Sequence, residues 1–237
     1  MKKALLTLPL LLAATAASAS PFGCRETASR RVSENAAGVT RVVVIGRAGS
    51  LRIAGQPGAT QVTASGTACS SDARFLEQVR LDLRRNGSEV VIEAVIPERV
   101  AIFSWTGASL DFEVSLPAHL PLDVRDGSGG LEIRNVGELE VVDGSGEIEI
   151  YGVNGNARVK DGSGHLTIED VSGSVEISDG SGSIEVRNVG RDVHVKVDGS
   201  GGIEVSDVRG NFTVDRKGSG GIHYERVGGK VSIPRRD

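Results

Sequence analysis

The chain has 237 residues, a formal net charge of −4, 32 glycines and only 3% aromatic residues. An acidic chain without a basic cluster is a poor partner for nucleic acid or an anionic membrane surface. Past its first residues no apolar run approaches the roughly 20 residues of a membrane helix, so no integral membrane segment is expected once the leader is removed.

Met1-Lys2-Lys3, an apolar run over 4–14 and the exit Ala17-Ser18-Ala19 have the layout of a secretory signal peptide, predicted over residues 1–19. The mature chain is then expected to be exported, to the periplasm or the extracellular space. Residues 20–40 are polar and aperiodic and read as a tail or linker. The two cysteines, Cys24 and Cys69, are expected to form one disulfide, the simplest state of two thiols in an oxidising compartment. Acylation of Cys24 is disfavoured, because Pro21-Phe22-Gly23 lacks the aliphatic and small residues that precede a lipidated cysteine.

Residues 41–120 carry β signals without a fixed period. Val42 to Ile45 is a compact apolar run, Val79 to Leu83 alternates, and Asn86-Gly87 before Glu89 to Ile96 predicts a hairpin with a type I′ turn. Leu110, Phe112, Val114 and Leu116 form another alternating face. This region is read as a less regular N-terminal β cap.

Residues 121–237 are periodic. Asp-Gly-Ser-Gly begins at Asp126, Asp143, Asp161, Asp179 and Asp198, and Lys217 opens a degenerate sixth copy. After each glycine turn, alternate residues are apolar, as in Leu131 and Ile133 or Ile184 and Val186. A lone valine follows at a second corner (Val136, Val153, Val171, Val189, Val208 and Val227), then a second short strand such as Leu139 to Val141. About five aliphatic side chains per repeat cannot offset the ordering of 18 residues at about 1–2 kcal/mol of backbone entropy each, so the repeats must stack. The predicted fold is all-β: a single-stranded β-solenoid, or β-helix, of about six 18-residue coils, closed at one end by the N-terminal cap.

The aspartate row could hold calcium between coils, but nonapeptide calcium rolls need a shorter repeat with two glycine-rich half-turns. The preferred reading of Asp126, Asp143, Asp161, Asp179 and Asp198 is an Asx turn, each carboxylate accepting from an amide two residues on. No cofactor is expected. Gly-Ser-Gly lacks the spacing of a nucleophile elbow or a phosphate loop, and His119, His165, His194 and His223 have no metal-ligand spacing.

An outward acidic row, Glu132, Glu149, Glu185 and Glu204, broken by Thr167 and ended by His223, is a candidate interaction face for a cationic partner, partly relieved by Arg134 and Arg187. Phe103 and Trp105 are the candidate exposed aromatics. The scarcity of aromatics elsewhere argues against a sugar-stacking surface.

Three segments carry a family resemblance: Gly49-Ser50-Leu51-Arg52-Ile53, Val114-Ser115-Leu116-Pro117, and the Gly-Ser-Gly-x-Ile-Glu-Val type strands such as Gly182 to Val186 and Gly201 to Val205. Over about residues 40–233 the chain resembles the bacterial "putative adhesin" family, a domain of unknown function in exported or membrane-linked proteins. The resemblance implies a β-solenoid and carries over no catalytic or ligand residues. The functional expectation is a non-enzymatic exported binding or cell-envelope interaction module, adhesin-like, whose partner is an unidentified envelope or surface protein or glycan. The alternatives are a structural or self-assembling envelope protein and, third, a polysaccharide-active enzyme.

Overall fold

The computed structural model describes residues 24–97 and 107–234. The predicted leader, Phe103 and Trp105 lie outside the described residues.

Among the described residues twenty strands form two ten-stranded sheets that face each other across one continuous apolar interior. The six predicted coils are present, each made of one strand from each sheet. They are β8 (Leu122–Arg125) with β9 (Leu131–Val136), β10 (Leu139–Asp143) with β11 (Ile148–Val153), and β12 (Ala157–Asp161) with β13 (Gly164–Val171). Then come β14 (Val175–Asp179) with β15 (Gly182–Val189), β16 (Val193–Ser200) with β17 (Ile203–Val208), and β18 (Phe212–Ser219) with β19 (Ile222–Val227), followed by the two-residue β20 (Val231–Ser232). The chain is therefore a β-solenoid of about six turns.

Neighbouring coils pair in parallel with like residues opposed. Leu131, Ile148, Leu166, Ile184, Ile203 and Ile222 form one column, and Ile133, Ile150, Ile168, Val186, Val205 and Tyr224 the next. The corner valines stack from Val136 to Val227. In the interior coils these residues are almost fully buried. The longer coils absorb their extra residue without losing this order. The register shifts between Ile177 and Ser178, so that Ser178 meets Val197 and Asp179 still meets Asp198.

The cap is built from β1 (Glu26–Asn35), β2 (Arg41–Ile45), β3 (Leu51–Gln56), β4 (Gln61–Ser70), the short helix α1 (Ala73–Leu76), β5 (Arg80–Asn86), β6 (Glu89–Val95) and β7 (Ala108–Pro117). Two strand pairs within it continue the parallel stack. β2 and β3 lie against β8 and β9, and β6 and β7 lie outside β2 and β3. The chain thus lays down a rung, leaves through β4 and β5, and returns to insert a second rung beyond the first. The antiparallel strands β1, β4 and β5 then close that end.

The β5–β6 hairpin forms, but Asn86 pairs with Glu89, leaving Gly87 and Ser88 at its tip. Gly87 has φ 62° and Ser88 is not in the left-handed region, so glycine occupies the first central position as in a type II′ turn rather than the expected I′. Cys24 and Cys69 are joined, with Cα atoms 5.7 Å apart across a 45-residue separation. The bond ties the start of β1 to the end of β4 at the outside of the cap, a position where such links contribute about 2–4 kcal/mol.

The second corner has a feature that the valine pattern alone does not announce. The residue before each corner valine is left-handed: Asn135, Gly152, Asp170, Asn188, Asp207 and Arg226, with φ between 52° and 76°. Asn, Asp and Gly tolerate this region best. Side chains also link the column, since Asn188 Nδ2 donates to Asp170 at 2.5 Å and Arg226 bonds Asp207 through two nitrogens at 2.6 and 2.8 Å.

Candidate interaction face and the buried aspartate column

The acidic row lies on the outer face of the sheet that contains β9 to β19. Lateral neighbours run Glu113, Arg52, Glu132, Glu149, Thr167, Glu185, Glu204 and His223. At its cap end the row is neutralised by its surroundings. Arg52 lies 3.2 Å from Glu132, and Arg134 also pairs with Glu132. The Arg134 hydrogen bond, opposed by partial burial and aided by Arg52, holds the Glu132 carboxyl below the usual carboxylate range. Arg134 also sits 4.3 Å above the Tyr151 ring, whose hydroxyl donates to Glu149 at 3.1 Å.

Towards the last coils the face opens. Arg187 pairs with Glu185, while Glu204 has no ion-pair partner among the described residues. The positions beside the acidic row run His165, Ser183, Gly202 and Gly221. The two glycines remove side chains there and leave a groove of about 430 Å³, in which Glu185 and Glu204 face His165 and His223. The structure therefore gathers half of the predicted acidic row with His165 and with His223, the end of that row. The signal was the change from Gly-Ser-Gly-His and Gly-Ser-Gly-Ser to Gly-Ser-Gly-Gly in the last repeats. A second cavity, about 520 Å³, lies at the opposite corner beneath Pro57, Gly58, Ala118 and His119, and none of the predicted site residues lines it.

The aspartates occupy the first corner, and their side chains point inward. Leu139, Val141 and Asp143 are all buried while Glu140 and Val142 are exposed, so the carboxylate continues the inward alternation of its strand. Asp143, Asp161, Asp179 and Asp198 are 5%, 4%, 4% and 1% exposed. They form a column in register, Asp143 on Asp161 on Asp179 on Asp198 on Lys217. Asp126 adjoins the cap end, where a side chain at Gly46 would strike its Oδ1 at 2.2 Å.

The expected Asx bond appears at Asp161, whose Oδ1 accepts from the Ser163 amide at 3.2 Å. Both oxygens of Asp143 and of Asp179 are buried without a donor. At the far end Lys217 takes the aspartate position, and its ammonium lies 2.7 Å from Asp198 and 2.8 Å from the Gly201 carbonyl. Burial, with the neighbouring charges of Asp126 and Asp161, pushes Asp143 up to about 6. Burial, with Asp161 and Asp198, pushes Asp179 up to about 7. Burial also raises Asp126 and Asp161, opposed at Asp126 by the Gly127 amide and at Asp161 by the Ser163 amide. Among the described residues no group of three or more His, Cys, Asp or Glu is placed to hold a metal ion.

No protein-family model matches the chain, and no curated protein matches it. Solved structures similar to it include a "putative cell adhesion protein" from Clostridium sporogenes, 9% identical, with 88% of this chain and 100% of that one aligned and a TM-score of 0.34. A "putative lipid binding protein" from Parabacteroides distasonis is 12% identical over 88% and 97% of the two chains, TM-score 0.38. A "putative adhesin" from the same organism is 13% identical over 90% and 98%, TM-score 0.35. Likenesses this distant transfer no role.

Proposed function

We propose that the chain is an exported, non-enzymatic binding module of the cell envelope, adhesin-like in role, that engages a surface protein or glycan through the outer face bearing Glu185 and Glu204. The carrying observation is the groove itself, where Glu204 has no ion-pair partner among the described residues, while Glu132 is paired with Arg52 and Arg134 and Glu185 with Arg187. An unmatched carboxylate between Glu185 and His223 suits a partner that brings its own positive charge. The Cys24–Cys69 disulfide supports a periplasmic or extracellular location. No helix among the described residues is long and apolar enough to cross a membrane.

Glu204 is exposed, so Glu204→Lys leaves the fold intact and tests the surface alone. Immobilised protein is expected to enrich one defined component from envelope fractions over a buffer control, and Glu204→Lys to lose that component at least tenfold. Equal capture by both proteins would remove the groove from the account. Capture of the chain by itself would favour the self-assembling alternative, for which the open last coil is the relevant observation: Tyr224 and Ile233 are 42% and 39% exposed there.

A further inference from the structure

We propose that the aspartate column is a proton-binding site: around neutral pH its buried carboxyl groups hold protons between them, and the solenoid is therefore held more tightly in mild acid than in mild base. The geometry leaves little alternative. Five carboxyl groups from Asp126 to Asp198 stand on successive coils about 4.8 Å apart, in a corner from which four of them are almost fully shielded. Two ionised carboxylates are acceptors only, so neighbours in such a column repel and neither can satisfy the other. A single proton converts that contact into an O–H···O⁻ hydrogen bond, one of the stronger kinds.

Two independent observations place a ligand here. Both oxygens of Asp143 and both of Asp179, groups 5% and 4% exposed, are aimed into the column with no donor. At the end of the column the protein supplies a positive charge of its own, because Lys217 is 6% exposed in its side chain and meets a fully buried Asp198 side chain. One cation serves five carboxylates.

Among the described residues the surroundings contribute no other charge. Below Asp126 lies Gly46, and the next residue, Arg47, turns its guanidinium to Glu93 at 3.4 Å. Across the corner stand the apolar Leu131, Ile148, Leu166, Ile184 and Ile203. On the strands that carry the aspartates, the preceding Arg125 and Lys160 are exposed and on the opposite face. The remaining neighbours are the turn glycines and serines.

An alternating arrangement satisfies the column. Asp198 is held by the Lys217 ammonium at 2.7 Å. Asp161 is ionised, accepting from Ser163 and from protonated Asp143 and Asp179 on its two sides. Asp126, the least enclosed, completes the pattern at the cap end. The raised titration of Asp143 and Asp179 agrees with this assignment. The sign follows by linkage: a carboxyl that titrates higher in the folded chain than in the unfolded one contributes its stability fully at low pH. That contribution is lost as pH rises through the folded value, here between about 6 and 7.

The test is thermal unfolding of the mature chain at pH 5 and pH 8, alongside Asp179→Asn and Asp143→Asn, with and without calcium or chelator. Wild type is expected to melt roughly 5 °C or more lower at pH 8 than at pH 5. Each asparagine variant keeps a neutral donor beside Asp161 and should shrink that difference by about half. Infrared spectra of the wild type in D₂O at neutral pD should also show a protonated carboxyl band, which settles the matter if a variant fails to fold. Equal or greater stability at pH 8, or absence of that band, overturns the proposal. So does a melting temperature at pH 8 that rises with calcium and no longer does so in Asp179→Asn, which would make the column a metal site instead.

Discussion

Gly164→Ala is expected to destabilise the protein by more than about 4 kcal/mol, at the extreme of single substitutions. Gly164 has φ +144°, and a Cβ there would lie 1.6 Å from the Gly146 carbonyl oxygen in the coil below. The same contact recurs along the column: 1.7 Å from Gly146 to Gly129, 1.6 Å from Gly182 to Gly164 and 1.5 Å from Gly201 to Gly182. The last glycine of each Asp-Gly-Ser-Gly turn is therefore where the coils come closest. Relief requires separating two coils whose hydrogen bonds and apolar columns are fixed by the same spacing. The adjacent Gly202 provides the control, since a Cβ there meets nothing within 4 Å. Gly202→Ala should remain within about 0.5 kcal/mol of wild type. Urea midpoints of the two variants decide the matter, and similar midpoints would refute close packing at this corner.

Ile168→Ala carries the second largest expected effect, about 3–5 kcal/mol, because it empties the middle of an aliphatic column. Ile168 is fully buried between Ile150 and Val186. Its neighbours belong to regular sheet on both sides and have little freedom to collapse into the space. Ile222 holds the equivalent of Leu166 in the last described coil but is only half-buried, with no further coil above it among the described residues. Ile222→Ala should cost less than half as much. Equal losses by calorimetry at the two positions would mean that the interior is not graded from a packed middle to an open end.

Much of this architecture was legible in the residues. The turn tetrapeptide marked the first corner of every coil, and the inward aliphatics of both strands could be assigned by period-two alternation from Leu131 to Val214. The interior sense of the aspartates was legible too. Asp143 follows Leu139 and Val141 by the same step of two, yet an aspartate beside glycines also fits a turn, and local turn chemistry and strand parity point to different orientations for it. The left-handed column is present in the sequence as Asn, Gly, Asp, Asn, Asp and Arg before the corner valines, but Arg226 breaks its composition, so residue type alone does not mark it.

The cap was harder for a different reason. β2–β3 and β6–β7 are parallel rungs like the repeats, but no common turn marks them, and their spatial order reverses their chain order. Local alternation states which residues face inward. It contains no record of which rung lies next to which, and that order is fixed only by long-range packing. The groove is only faintly marked, by Gly202 and Gly221, since His165 and His223 are 58 residues apart in sequence and become neighbours of one surface only through register.

The most direct test of the stack is a ladder of electron-spin distances measured from position 132. The two native cysteines are bonded to each other, so single labels can be placed at Glu132 paired in turn with Glu185, Glu204 and His223, which lie three, four and five coils away. At about 4.8 Å per coil, backbone separations should grow in equal steps, near 14, 19 and 24 Å. Distances that fail to lengthen step by step with coil number would contradict the column on which every other statement about this protein depends.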